Sequence, residues 1–306
     1  MFSRVARLNV SRIKLGGKTG IVKETRGFLP VVVLLCGSLS APTAFSAAPA
    51  QTPSAELSAE ERGHLVEAYN RWAAGLRTLR AGGKARVGAV GEKTRVFDFS
   101  MVLSRPGSAR VQGRWGSLAT LFDLSGDLAG WTLYLPQDRA VVFAHDEPAS
   151  AGLLLPPLEI ISVLLPAGIP PRDLEVLGAV NVEGDQVRLV VPPGRGGAGS
   201  TVHRVIWVDR EKGTPTRLEV RRDSQLESPI LVANYEAYEG KGPEAFAVEI
   251  MVEMLESEQW ARFVFETVRI NSDVAANVFD IKIPKGTRKL DPEDLTPDFL
   301  PVADEQ

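Results

Sequence analysis

The segment Phe246-Ala-Val248-Glu-Ile250-Met-Val252-Glu-Met254 puts a large apolar side chain at every second position. Side chains of a strand point alternately to opposite faces, so this run has one oily face and one face bearing Glu249 and Glu253. About ten segments of the chain follow the same period-two rule. Few helical patterns intervene, so the strands are antiparallel neighbours rather than parallel strands linked by helices. Repetition of that unit predicts a curved antiparallel sheet with an apolar concave side.

Residues 1–46 stand apart from this pattern. Met1 to Arg26 carries seven basic residues against one acid, Glu24. The apolar run Phe28-Leu-Pro-Val-Val-Val-Leu-Leu-Cys36 follows, and then the small residues Ala44-Phe-Ser46-Ala-Ala48. Basic region, short apolar core and small-residue cleavage site read as a secretory signal. The core is far short of the ~20 residues a membrane-spanning helix requires. The mature chain is expected to begin near Ala47 and to reside in the periplasm. Cys36 is the single cysteine, so no disulfide forms within the chain. Lipid attachment at Cys36 is the rival reading, but Leu35 occupies the place where a lipoprotein signal carries a small residue.

Export changes the charge balance. The whole chain has 35 basic and 38 acidic residues, and loss of residues 1–46 leaves 28 against 37, a net charge of −9. A surplus of acid argues against nucleic acid as partner and against simple docking on anionic lipid. The remaining chain suits one large β domain. Its expected organisation is a signal over 1–46, a Pro/Ala-rich flexible leader over 47–57, the folded domain over 58–284 and a charged tail over 285–306 that wraps the surface or frays.

Ser58-Ala-Glu-Glu61 is a capping box, and Leu65, Tyr69, Trp72, Leu76 and Leu79 follow at helical spacing. This predicts an amphipathic helix ended by Gly82-Gly83. Strands are expected over 95–103, 109–115, 118–124, 131–135 and 140–144. A second set covers 187–191, 201–209, 216–221, 229–238, 246–254, 260–270 and 279–283. Arg210-Glu-Lys-Gly-Thr-Pro215 has hairpin-turn chemistry. Between the two sets, Leu153 to Leu165 is apolar on nearly all sides and bounded by prolines, which predicts a short helix with Pro157 in its first turn. So short a helix with so little polar face must be covered by protein or by ligand.

Catalytic chemistry is sparse. His64, His145 and His203 have no further histidine at metal-ligand spacing, and solvated or sheet positions account for them. No nucleophile elbow or distinctive carboxylate pair occurs. Gly194-Arg-Gly-Gly-Ala-Gly-Ser200 lacks the Lys-Ser/Thr ending of a phosphate loop and reads as a hairpin loop. We expect no enzyme activity, no metal and no cofactor. The aromatic residues admit two readings, a plain β core or the wall of an apolar cavity. Two short helices cannot fill the concavity of a sheet of about a dozen strands, which favours the cavity.

The order of these elements is familiar. Leu76-Arg-Thr-Leu79-Arg-Ala-Gly-Gly-Lys-Ala-Arg-Val, Trp131-Thr-Leu-Tyr-Leu-Pro136, Val205-Ile-Trp-Val-Asp209 with Gly213-Thr-Pro215, Val268-Arg-Ile-Asn271 and Val278-Phe-Asp-Ile-Lys-Ile-Pro284 follow one another. This resembles the outer-membrane lipoprotein carrier and receptor superfamily (LolA/LolB-like), nearest its poorly characterised lipoprotein-like relatives, over nearly all of residues 60–284. The resemblance implies an incomplete antiparallel β-barrel, a half-barrel mainly of strands, with the amphipathic helix and the short apolar helix as its lid. It also implies a cavity for lipoprotein acyl chains or other lipids. Wall and lid residues would be Trp72, Leu76, Phe97, Phe99, Met101, Trp115, Trp131, Leu133, Leu158, Ile161, Leu165, Ile250, Val252, Phe263 and Phe265. Arg204, on the same strand face as Val202, Ile206 and Val208, is the candidate for the basic residue that latches the lid in the carriers. Envelope membrane proteins would be further partners. An envelope-stress sensor or interaction module, or a lipid-anchored receptor, are the alternative roles of the same fold.

Overall fold

The computed structural model describes residues 27–28, 57–105, 107–116, 119–127, 130–145, 163–169, 181–191, 202–222, 228–291 and 300–301. Helix α1, Ala59–Gly75, starts as its capping box requires: Ser58 Oγ accepts from the Glu61 amide at 3.2 Å, and Glu61 Oε2 accepts from the Ser58 amide at 3.1 Å. It stops earlier than the apolar spacing predicts. A Cβ at Gly75 would lie 2.4 Å from the Pro243 carbonyl oxygen, so the helix closes against the single turn Gly242–Glu244. Leu79 keeps helical spacing with Leu76 by coincidence and belongs to the first strand.

That strand, β1 (Thr78–Ala89), was not among the expected strands, and Gly82-Gly83 lie inside it rather than ending the helix. It heads the meander β2 (Arg95–Ser104), β3 (Ser108–Trp115), β4 (Ala119–Asp127), β5 (Gly130–Leu135) and β6 (Ala140–His145). The second meander runs β7 (Asn181–Glu183), β8 (Gln186–Val191), β9 (Val202–Asp209), β10 (Pro215–Arg222), β11 (Leu231–Glu239), β12 (Phe246–Met254) and β13 (Gln259–Ile270). β13 pairs with β1, and the two meanders thereby become one sheet. A short strand, β14 (Arg288–Leu290), adds to β6 in parallel and completes 14 strands in the order β14-β6-β5-β4-β3-β2-β1-β13-β12-β11-β10-β9-β8-β7. β14 and β7 are not paired to each other, so the architecture is an incomplete barrel with a helical cover. A separate two-residue bridge joins Gly27–Phe28 to Leu300–Pro301.

Gly83 explains how β1 tolerates its central place. The β1–β13 register shifts between Phe265 and Thr267, so Glu266 is an extra residue on the β13 side. There the backbones approach so closely that a Cβ at Gly83 would meet the Val264 carbonyl oxygen at 2.0 Å.

Residues 279–283, expected as a strand, instead form part of a strap on the outer face. A single turn, Ala276–Phe279, leads it across β3 and β4. Arg110 Nη1 donates to the Val278 carbonyl at 2.7 Å, and Ser125 Oγ donates to the Phe279 carbonyl. The chain then reaches the β6 edge, so the part of the tail that forms β14 wraps the sheet. On this outer face Asp123, 6% exposed, is gripped by Arg110 through both carboxylate oxygens at 2.9 and 2.6 Å, and by Gln112 at 2.8 Å. In the second meander Glu219, 3% exposed, is held between Arg217 and Arg221, and Trp207 is stacked between Arg188 and Arg217. Several outward charges are thus paired with one another, while the opposite face carries the core.

Candidate functional site

The concave face is built by register. Met101, Val111, Leu124, Leu133 and Val142 face one another across the first meander, and Ile206, Leu218, Ala233, Val252 and Ala261 do so across the second. Between them the middle of β1 presents small residues, Ala81, Gly83 and Ala85, flanked on the same face by Leu79 and Val87. Aromatic rings of the flanking strands therefore meet above it. Phe99 of β2 is edge-to-face with Phe265 and Phe263 of β13, with ring centres 5.3 and 5.5 Å away, and Phe265 in turn meets Phe246 at 5.1 Å. Gly113 plays the same part on β3, where the Phe122 ring lies over it and meets Phe97 at 6.0 Å.

Helix α1 covers this floor with Leu65, Val66, Tyr69, Trp72 and Ala73. Trp72 Nε1 donates to the Ala245 carbonyl at 2.7 Å, which satisfies its one polar atom at the end of the helix. The second cover is Val163–Ile169, whose Val163, Leu164, Leu165 and Ile169 are buried. Side chains hang this segment by its backbone. Tyr69 Oη donates to the Ala167 carbonyl at 2.8 Å. Asn70 both donates to the Ile169 carbonyl at 3.0 Å and accepts from the Ile169 amide at 2.7 Å, as a strand neighbour would. Arg105 Nη2 donates to the Pro166 carbonyl at 2.7 Å while its Nε caps the helix through the Leu76 carbonyl at 2.8 Å. Tyr235 Oη donates to the Val163 carbonyl. Burial holds the Tyr69 and Tyr235 hydroxyls protonated well above the usual phenol range, so both remain donors.

Beneath this cover Tyr69, Val163, Pro166, Ala167, Arg204, Ile206 and Leu218 enclose a cavity of about 10 Å³, the room of one water molecule. Among the described residues no group of His, Cys, Asp and Glu is placed to hold a metal ion, and no helix is long and apolar enough to cross a membrane.

Solved structures of the same architecture exist. A LolA superfamily protein from Nitrosomonas europaea superposes with a TM-score of 0.52 at 11% identity, covering 72% of this chain and 97% of its own. A DUF1329 family protein from Desulfovibrio piger gives the same score, identity and coverage. A Vibrio parahaemolyticus domain described as outer membrane lipoprotein-sorting follows at 0.49 and 13% identity, covering 72% of this chain and 97% of its own. The fold is LolA-like. No protein-family model matches the sequence, and no curated protein matches it.

In this LolA-like frame Trp72, Leu76, Phe97, Phe99, Met101, Trp131, Leu133, Leu165, Ile250, Val252 and Phe265 are all buried on the concave side or its cover, and Phe263 is partly buried against them. Trp115 departs from the expected wall. It is the last residue of β3, beyond the register shift at Gly113–Arg114, and is 43% exposed at the rim. Leu158 and Ile161, with the rest of residues 153–162, lie outside the described residues. Arg204 does emerge on the concave side, opposite Val191 and Val220, but none of the hydrogen bonds that hold the cover comes from it. Tyr69, Asn70, Arg105 and Tyr235 hold the cover instead, and sequence reasoning missed that role for all four. Their partners are backbone carbonyls, which leave no mark in a side-chain pattern.

Proposed function

We propose that this protein is an exported lipophile-binding protein of the cell envelope, a carrier or sorting factor for lipoprotein acyl chains. It acts by noncovalent burial and without enzymatic chemistry. One observation carries the reading: a continuous apolar concave face is roofed by two elements, α1 and Val163–Ile169, and neither is a strand of the sheet it covers. The cavity beneath Tyr69 and Val163–Ala167 has room for about one water molecule and none for an acyl chain, so a chain reaches the concave face there only when the roof lifts. The rings above β1 then become the wall of the opened site. Burying about eight methylenes contributes roughly 6 kcal/mol, enough to offset exposure of part of the cover.

The test is mass spectrometry of lipids carried through native purification, with titration of a fluorescent fatty acid into delipidated protein. Co-purifying acyl chains and a saturable probe shift are the expected result. Clean protein that never shifts the probe would sink the carrier reading and leave an interaction module on the same fold.

A further inference from the structure

We infer that Arg204 is an anchor for the anionic head of a single-chain amphiphile, a carboxylate or phosphate monoester whose tail lies on the concave face. This rests on the lipophile reading and names the ligand class. Arg204 stands in β9 opposite Val191 and Val220, two strand positions of the apolar face, and its side chain borders the cavity under Tyr69. Several other arginines of this half of the sheet have carboxylate partners, Arg217 and Arg221 with Glu219, Arg222 with Glu256, Arg262 with Glu249, and Arg210 with Glu61, and Arg188 lies over the Trp207 ring. Among the described residues no carboxylate forms an ion pair with Arg204.

The nearby acceptors are already engaged. The Val163, Pro166 and Ala167 carbonyls that border the same cavity take their side-chain hydrogen bonds from Tyr235, Arg105 and Tyr69. The half-buried guanidinium beside Ile206 and Leu218 borders room for one water, and a two-oxygen anion matches its donor fork. The row from Ile206 through Leu218, Ala233 and Val252 to Ala261 then offers an apolar strip for the tail.

Titration calorimetry of the delipidated full mature protein with palmitate, methyl palmitate and inorganic phosphate separates the parts. Wild type is expected to bind palmitate at least about tenfold more tightly than the ester, and phosphate weakly. Arg204→Met, checked for native circular dichroism, should bind both palmitate and ester at the ester's affinity, whereas Arg204→Lys should keep part of the preference. Equal binding of acid and ester by wild type, or a preference that survives in Arg204→Met, overturns the anchor and leaves the lipophile reading standing. Phosphate that binds as tightly as palmitate overturns the amphiphile in favour of a free-anion site. Failure of both palmitate and its ester to bind overturns the lipophile reading and the anchor with it.

Discussion

Phe99 and Phe265 touch edge to face, ring centres 5.3 Å apart, although a whole strand lies between the strands that carry them. The contact exists because Gly83 pairs with both residues and has no side chain to separate them. It joins residues far apart in the chain and seals the seam between the two meanders.

Gly83→Ala tests that seam. Its new Cβ would fall 2.0 Å from the Val264 carbonyl oxygen, which is backbone and cannot swing aside. Stability should drop by about 3 kcal/mol, read as a lower urea midpoint. An unchanged midpoint would mean that the β1–β13 approach is looser than described.

Asn70→Ala removes two hydrogen bonds to Ile169 and leaves a buried carbonyl and amide without their partner. We expect a loss of about 2 kcal/mol and faster hydrogen exchange at the Ile169 amide. Exchange within the central strands should follow the global stability alone. Protection of Ile169 that matched wild type would show the segment to be held by its apolar side chains.

Arg110→Ala should act on both the sheet and the strap. Asp123 would lose its charge partner while 6% exposed, and the Val278 carbonyl would lose its donor. The cost should be about 3 kcal/mol, with quicker proteolysis within residues 272–287 than within the strands. Uniform susceptibility along the chain would count against a strap held by this arginine.

Glu61 gives a pH signature. Its hydrogen bonds to the Ser58 side chain and backbone, aided by Arg210, hold its carboxyl below the usual range. A lowered folded-state value means the carboxylate contributes stability above its unfolded value, and that contribution disappears as pH falls through the folded value. The stability gap between wild type and Glu61→Gln should therefore be present at neutral pH and close in acid. A gap that widened on acidification would have the wrong sign for this cap.

Strand alternation, the helix start at Ser58 and the hairpin at 210–215 are legible from residue order, because each is written in local chemistry: a period of two, a capping box, a turn. Residue order also placed Phe97, Phe99, Met101, Leu133, Ile250 and Val252 on buried faces, since parity along a strand fixes sidedness. The end of α1 meets residues distant in sequence: Pro243 abuts Gly75, and Asn271 takes up the Gly75 carbonyl and the Arg77 amide. β1 was hidden because Ala81, Gly83 and Ala85 carry too little apolar bulk to announce a strand, and only neighbouring Phe rings give their smallness a purpose. The strap over β3 and β4 and the hung segment Val163–Ile169 depend on side chains reaching backbone carbonyls. Those partners are set by folding, because every residue has a carbonyl and nothing in the residue type says which one will be met.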